Sequence, residues 1–261
     1  MDKNTLIAKV ASDPEDRLLL ARILDKYDQT QRRNIPSATT FLSPREQAMA
    51  TALLNTAGIR EGYVFDGGYE NAERKIIVFL PDWAEGAEGE LAFLRASFHG
   101  TDSKLTHRDI LGSLMGLGIT RERVGDILVS EHSADIVASS ALAEFLLREW
   151  SGAGRVRLTV TEIARESLMI PEVKIQKVED TVSSMRLDAV LSTAFGMSRG
   201  KAADLIAAGR VSLDHVPCEK PDKNVSEGSI ITARGFGKAV VRECSRLSKK
   251  GRIILLMDRY I

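Results

Sequence analysis

The residues best suited to chemistry are basic side chains in the last third of the chain. Arg186, Arg199 and Lys201 stand at or near the starts of two short helical patterns, and Arg210 follows the second pattern. The helix macrodipole disfavours cations at helix starts by about 0.3 kcal/mol or more. These positions therefore indicate an anionic partner, since cations and helix N-termini together contact phosphate groups. The alternative is a solvated basic face on a helical hairpin.

Apolar spacing predicts the two helices that position these cations. The first ends at Gly196, where a left-handed glycine ends a helix at little cost. The second is capped by Ser198 and stops at Gly209. The first helix carries one apolar stripe at three- and four-residue intervals, formed by Leu187, Val190, Leu191 and Ala194.

Charge is unevenly distributed along the chain. The whole sequence has 36 basic and 36 acidic residues, yet residues 181–261 hold 14 Lys and Arg against eight Asp and Glu. The remainder holds 22 basic and 28 acidic residues. A basic end is the electrostatic footprint of a nucleic-acid binder, although charge asymmetry also occurs in other proteins.

These segments resemble a known RNA-binding domain. Arg186 to Asp214, continuing into Arg234-Gly235-Phe236-Gly237-Lys238, is similar to the S-four-type RNA-binding domain of ribosomal small-subunit protein four, called the S4 domain below. The rest of the chain resembles the YlmH-like proteins of Gram-positive bacteria, which end in that domain. The resemblance covers residues 40 to 261, and its other strings are Phe41–Gln47, Asp66–Tyr69, Ala72–Lys75, His107–Gly112, Leu117–Ile119, Arg121-Glu122 and Gly125–Ile127.

The resemblance implies a function that the spacing does not. YlmH-like proteins look like relatives of small S4 factors that bind stalled large ribosomal subunits carrying peptidyl-tRNA. The resemblance therefore implies a non-enzymatic, monomeric factor of ribosome-associated quality control that needs no cofactor. Such a factor would bind ribosomal RNA, tRNA and the large ribosomal subunit. A cell-division-linked RNA-binding scaffold is the second hypothesis, and an enzyme that modifies ribosomal RNA is the third.

Ten residues are predicted to contact RNA. The helix–loop face supplies five of them: Arg186, Ser198, Arg199, Lys201 and Arg210. The Arg-Gly-Phe-Gly-Lys turn supplies Arg234 and Lys238. A C-terminal turn supplies Lys249, Lys250 and Arg252, which add a weaker electrostatic attraction. Phe236 is predicted to be a core plug rather than a base-stacking platform. S4 domains often have Asn-Gly after the second helix where this chain has Asp214-His215. Asn, Asp and Gly tolerate positive φ best, so His215 is less favoured in such a turn and a looser or different turn is expected.

The predicted fold class is α+β with three domains: a mainly helical N-terminal domain (1–80), an RRM-like middle domain (81–170) and the S4 domain (182–261). Ser43-Pro44-Arg45-Glu46 predicts a capped helix start and Gly58 its end. Arg45 has no part in that cap and is a candidate functional residue. Residues 164–182 are predicted to be an extended connector with at most one short strand.

The middle domain is predicted to follow the order β-α-β-β-α-β. Its strands are expected at Ala92–Phe98, Asp126–Ser130, Asp135–Ser139 and Arg155–Thr161, and its helices at Thr106–Leu117 and Ala141–Trp150. This is the order of ferredoxin-like and RNA-recognition-motif (RRM) folds. The third strand lacks aromatic residues, so we expect no base-stacking face. A terminal hairpin is predicted from Val240–Cys244 and Ile253–Met257 around a Lys249-Lys250-Gly251 turn.

Several other classes find little support. Cys218 and Cys244 lack paired spacing, which favours packing roles and a reducing, cytoplasmic setting; neither a signal peptide nor a membrane span is expected. The four histidines do not have metal-ligand spacing. His107-Arg108-Asp109 is explained better by helix capping than by catalysis. A pseudouridine synthase would need a catalytic Arg-Leu-Asp in a second domain, but the only Arg-Leu-Asp in this chain begins an S4 helix. A methyltransferase would need a glycine-rich loop after a strand, which Gly67-Gly68 does not supply.

Overall fold

The computed structural model describes residues 2–84, 86–98, 105–172 and 174–261. The chain forms two compact units, Met1–Pro171 and Glu172–Ile261. Both combine helices with antiparallel strands, in agreement with the predicted α+β class. No helix in these described ranges is both long and apolar enough to cross a membrane.

The first unit begins with three helices and a small sheet. Helices α1 (Lys3–Ala8), α2 (Pro14–Arg33) and α3 (Pro44–Ala57) pack with strands β1 (Ser37–Ala38), β2 (Tyr63–Asp66) and β3 (Ile76–Phe79), which pair in the order β1-β3-β2. The predicted start and end of α3 are confirmed, with the Ser43–Glu46 capping box and a left-handed Gly58. The prediction of a mainly helical region missed β1 and β2, because strands of two and four residues are too short to show alternation.

The rest of this unit is a four-stranded sheet with two helices. Its elements are β4 (Leu91–Ser97), α4 (His107–Gly116), β5 (Val124–Val129), β6 (Ser133–Ser139), α5 (Ala143–Glu149), β7 (Gly152–Ala153), β8 (Val156–Arg157) and β9 (Thr159–Glu162). The sheet order is β5-β6-β4-β9, while β7 and β8 pair only with each other. The single strand predicted at Arg155–Thr161 is therefore wrong: it is two short strands, with Leu158 buried between them.

The predicted domains 1–80 and 81–170 share a core cluster within this unit. Phe41, Ile76 and Val78 pack in one cluster with residues of the four-stranded sheet: Phe93, Leu128 and Val137. Glycines make this contact possible. A Cβ on Gly125 would lie 2.6 Å from the Phe41 ring, and one on Gly68 would lie 2.6 Å from the Phe93 ring. The family-matching glycines thus allow close packing.

The second unit is a six-stranded sheet covered by two helices. Its elements are β10 (Ile175–Val182), α6 (Leu187–Phe195), α7 (Arg199–Ala207), β11 (Val211–Leu213), β12 (Val216–Pro217), β13 (Ile230–Ala233), β14 (Gly237–Glu243) and β15 (Ile253–Tyr260), and the sheet order is β10-β15-β14-β13-β11-β12. The two predicted helices and the terminal hairpin are confirmed. Both helices contribute apolar side chains to a single core shared with the sheet.

Two predictions for this unit are wrong. The last eight residues of the expected connector form strand β10, which is longer than the one short strand allowed for and pairs with β15 along its full length. Its side chains are largely exposed, so no apolar pattern marked it. The turn at Asp214-His215 is tight, since both residues have positive φ and Leu213 pairs with Val216. The Asp214 carboxylate accepts hydrogen bonds from Ile230 N and Ser229 Oγ, which hold the turn in this conformation.

Substituting Gly125 with alanine should destabilise the protein. The new methyl group meets the buried ring of Phe41, which must shift to make room, an overpacking that costs about 1–3 kcal/mol. Gly112→Ala is the matched control, because open space surrounds that position in α4 and alanine favours a helix there. Chemical denaturation of both variants measures the difference. Equal midpoints would contradict the packing role assigned to Gly125.

Candidate nucleic-acid interface

A buried carboxylate holds two of the predicted RNA-contacting arginines. Arg186 donates from Nε and Nη2 to Asp188 Oδ1 and Oδ2, both at 3.2 Å, and Arg199 Nη2 donates to Asp188 Oδ2 at 2.9 Å. Asp188 is 6% exposed, whereas the Arg186 and Arg199 side chains are about half exposed. Two guanidinium groups and one carboxylate leave a net positive charge at the surface.

The ionised state of Asp188 depends on this contact. Burial alone would raise the pKa of the carboxyl group, but the hydrogen bonds from Arg186 and Arg199 outweigh that effect and lower the pKa. Each guanidinium has five N–H donors, of which Asp188 uses one or two. The remaining donors are available to an anion, with the arginines already fixed in place.

The two helix starts differ in what they can offer a ligand. The N–H groups of Leu187 and Asp188 at the start of α6 donate to the carbonyl oxygens of Lys223 and Pro221. The start of α6 is therefore closed, contrary to the expectation that both helix starts face the ligand. At α7, the Ser198 hydroxyl accepts from Lys201 N at 3.2 Å, as predicted for a cap.

Helix α7 leaves free backbone donors. The N–H groups of Arg199 and Gly200 have no acceptor among the described residues, and open space surrounds Gly200. Unpaired N–H groups of a first helical turn bind phosphate well. The start of α7 is therefore the better candidate for a phosphate contact.

Three further cations lie around the turn between β13 and β14. Arg234 N donates to Arg210 O at 2.9 Å, and Arg210 Nη2 donates back to Arg234 O at 3.2 Å. Lys238 Nζ lies 4.4 Å from the Tyr260 ring centroid. Lys201 Nζ of α7 lies 5.2 Å from the ring centroid of Phe236, which is in the same turn. Helix α7 therefore lies between these three cations and the ion pairs of Asp188, because it also carries Arg199.

Phe236 packs against the core, as predicted. It is partly buried against the apolar cluster of the unit, and its ring centroid is 6.2 Å from that of Phe195 in an edge arrangement. Lys201 lies over the Phe236 ring. The ring therefore supports the lysine more directly than it could support a stacked base.

The last three predicted residues lie elsewhere. Lys249 and Lys250 occupy the turn before β15, and Arg252 donates to Thr181 Oγ1 and O at 3.0 and 2.6 Å. Strand β15 separates this turn from Tyr260 by about 23 Å. The structure thus brings together seven of the ten predicted residues and places these three at the opposite end of the sheet.

Sequence reasoning missed Arg259 and Tyr260, because the last strand was predicted to end at Met257. The Arg259 guanidinium lies 5.4 Å from the Phe195 ring centroid, and its buried Nε has no hydrogen-bond partner in the described part of the chain. No alternation marks this extension of the strand, because Asp258, Arg259 and Tyr260 are all partly exposed.

Other candidate residues have structural partners. Arg45 forms a two-point ion pair with Asp16 of α2, and Thr106 and Asp109 form the predicted capping box beside His107. Cys218 and Cys244 pack against the core of the second unit. No group of His, Cys, Asp or Glu in the described ranges could hold a metal ion, and His99 lies outside those ranges.

A pair of short helices that presents arginines beside an antiparallel sheet defines an RNA-binding protein of the S4 class. An S4 domain profile matches residues 185–231, and a profile described as "Putative RNA-binding domain in YlmH" matches residues 88–167. The chain is 31% identical over 247 residues to "Ribosome-associated protein quality control protein P2" of Bacillus subtilis (strain 168), covering 94% of this chain and 95% of that relative. The chain therefore belongs to the YlmH family.

A solved structure shares part of the fold. "Cell division protein ylmH from Streptococcus pneumoniae" superposes with a TM-score of 0.50 at 23% identity, over 62% of this chain and 98% of that chain. At this identity the similarity concerns the fold alone.

Substituting Asp188 with asparagine should destabilise the second unit and do so in a pH-dependent way. The folded pKa of Asp188 is depressed, so the ion pair stabilises the fold above the unfolded pKa of about 3.9 and is lost as the pH falls through the folded pKa. We expect a loss of about 1–3 kcal/mol at pH 7, typical of hydrogen bonds to charged groups. Urea denaturation at pH 7 and below pH 4 measures it, with the exposed Asp204→Asn as control. A loss that persists unchanged in acid would contradict the ionic role.

Proposed function

We propose that the protein is a non-enzymatic factor of ribosome-associated quality control that binds ribosomal RNA on the large subunit through its S4 domain. The observation that carries this proposal is that Asp188 holds Arg186 and Arg199 in place beside the start of α7, where backbone N–H groups have no acceptor among the described residues. Membership of the YlmH family and the name of the Bacillus subtilis relative support the ribosome as the partner. Contact with tRNA, a monomeric state and a cytoplasmic location are parts of the same proposal.

The RNA path in this proposal follows the cations that the structure groups together. Phosphates approach Arg199 and the free N–H groups of α7 first, and then pass Lys201, Arg210 and Arg234. Lys249, Lys250 and Arg252 contribute long-range attraction only. We also propose that residues 81–170 form an RRM-like domain, an assignment supported by the sheet order β5-β6-β4-β9.

RNA affinity should fall steeply with salt and depend on position. If about five cations neutralise phosphates, the slope of log affinity against log salt should be roughly −3.5 to −4.5. Arg234→Gln should weaken binding and reduce the slope by about one. Lys250→Gln, the matched control in an exposed turn at the other end of the sheet, should change the affinity less. Fluorescence anisotropy with an RNA fragment measures both, and a slope near zero would refute the electrostatic interface.

Association with ribosomal subunits tests the biological part of the proposal. Tagged protein should sediment with large subunits in a sucrose gradient, and crosslinked fragments should come from large-subunit ribosomal RNA and tRNA. Arg199→Glu should abolish both signals, whereas Lys3→Glu in the first unit should not. Recovery with division proteins and no ribosomal fragments would favour the division-linked scaffold instead. Detection of a modified nucleotide with purified protein would favour an enzyme.

A further inference from the structure

A cleft in the first unit gathers several of the family-matching strings. Its volume is about 370 Å³, and it is lined by Pro44, Tyr69, Glu73, Arg74, His107, Arg121, Asp126, Ile127 and Leu128. These residues come from the start of α3, the loop before β3, the start of α4 and the beginning of β5. The proposed function of the S4 domain uses none of them.

Two arginines are held side by side in this cleft. Arg74 donates from Nε to Val124 O at 3.2 Å and from Nη2 to Phe41 O at 2.9 Å. Arg121 Nη1 donates to the same Val124 oxygen at 2.5 Å and to Gly125 O at 2.9 Å. Because one carbonyl oxygen accepts from both, the two guanidinium groups must be near neighbours.

Neither arginine donates a hydrogen bond to a carboxylate in the described part of the chain, although the charges of Glu46, Asp126 and Glu122 act on Arg74 and that of Asp126 acts on Arg121. The acceptors of their side-chain hydrogen bonds are all main-chain carbonyl oxygens, which carry only partial negative charge. Burial lowers the pKa of Arg74, and burial together with the Arg74 charge lowers the pKa of Arg121 to about 10. In both arginines burial outweighs the attraction of these carboxylates, so the two neighbouring like charges are costly and a bound anion would remove part of that cost.

The nearby carboxylates are already engaged. Asp126 accepts from Tyr69 Oη and from the N–H groups of Glu73 and Arg74, and Glu46 accepts from Ser43 N in the capping box of α3. Glu122, which is exposed, raises the pKa of Arg74, but burial outweighs it. The donors left on the two guanidinium groups are therefore not taken by these carboxylates.

We propose that this cleft binds a phosphate group of an RNA backbone between Arg74 and Arg121, with exposed His107 as a further donor at its rim. Guanidinium forks match phosphate oxygens in geometry and charge, and neighbouring arginines are a common phosphate site. Arg121 and His107 lie in the segment 88–167 that matches the RNA-binding profile, while Arg74 precedes it. The site would give the first unit its own contact with RNA, beyond the S4 interface.

The test separates this site from the S4 interface. In the full chain, Lys201→Glu and Arg234→Glu are combined to weaken the S4 interface, and residual binding of a labelled RNA is measured by anisotropy. In that background, adding Arg121→Gln should weaken binding about tenfold and lower the salt slope by about one. The matched control is Arg155→Gln, an exposed arginine of the same unit, which should change the affinity less than twofold.

A second variant excludes a purely structural role for Arg121. His107→Gln removes an exposed rim residue without disturbing the arginine–carbonyl contacts, and it should also weaken residual RNA binding more than Arg155→Gln does. If Arg121→Gln lowers only the unfolding midpoint, and His107→Gln binds RNA like the control, the two arginines have only a structural role and the proposal is wrong.

Pyrophosphate distinguishes RNA from a free phosphorylated molecule. It should raise the unfolding midpoint of the Lys201→Glu, Arg234→Glu protein and not that of the same protein carrying Arg121→Gln, because a ligand stabilises only the state that binds it. A pyrophosphate effect with RNA affinities equal to the control would overturn the RNA assignment. Full RNA affinity in the double S4 variant would instead overturn the proposed S4 interface.

Discussion

The contact of Asp188 with Arg186 and Arg199 organises the RNA-binding face of the second unit. One buried carboxylate joins the residue before α6 to the first residue of α7, so the relative placement of the two helices and of their cations is fixed together. Arginines that are held before binding lose less conformational freedom when they meet a phosphate. The cost is one unit of positive charge, which Asp188 neutralises.

The sheet imposes the second constraint on that face. Strand β15 lies between β10 and β14, and its length separates the turn before it from the residues at its end. Arg252 and Arg259 are close in the sequence but therefore lie far apart in the fold. Lys201 and Phe236 are distant in the sequence, yet the lysine lies over the aromatic ring. Net charge alone would count all of them equally, but only those at one end of the sheet can follow the same RNA backbone.

How far the fold was predictable depends on whether its signals are local. Helices α6 and α7 were predicted because a stripe, a Ser198 cap and a left-handed Gly196 all lie within a few residues. Strand β10 was not, because an exposed edge strand owes its existence to β15, which lies far along the chain. The Asp214-His215 turn shows the same limit: its strained φ values are held by Ser229 and Ile230, which no turn rule includes.

The candidate sites, like the strands, depend on contacts between residues that are distant in the sequence. Sequence identifies residue types that can bind phosphate, but it does not show what each arginine is bound to in the folded chain. Arg45 pairs with a carboxylate and Arg252 with a threonine, so their charge or their donors are partly used within the protein. Arg74 and Arg121 donate only to carbonyl oxygens, so their positions are fixed while nearby carboxylates act on them without accepting their hydrogen bonds. An arginine is thus most informative about function when the fold holds it firmly and leaves part of its N–H donors unused.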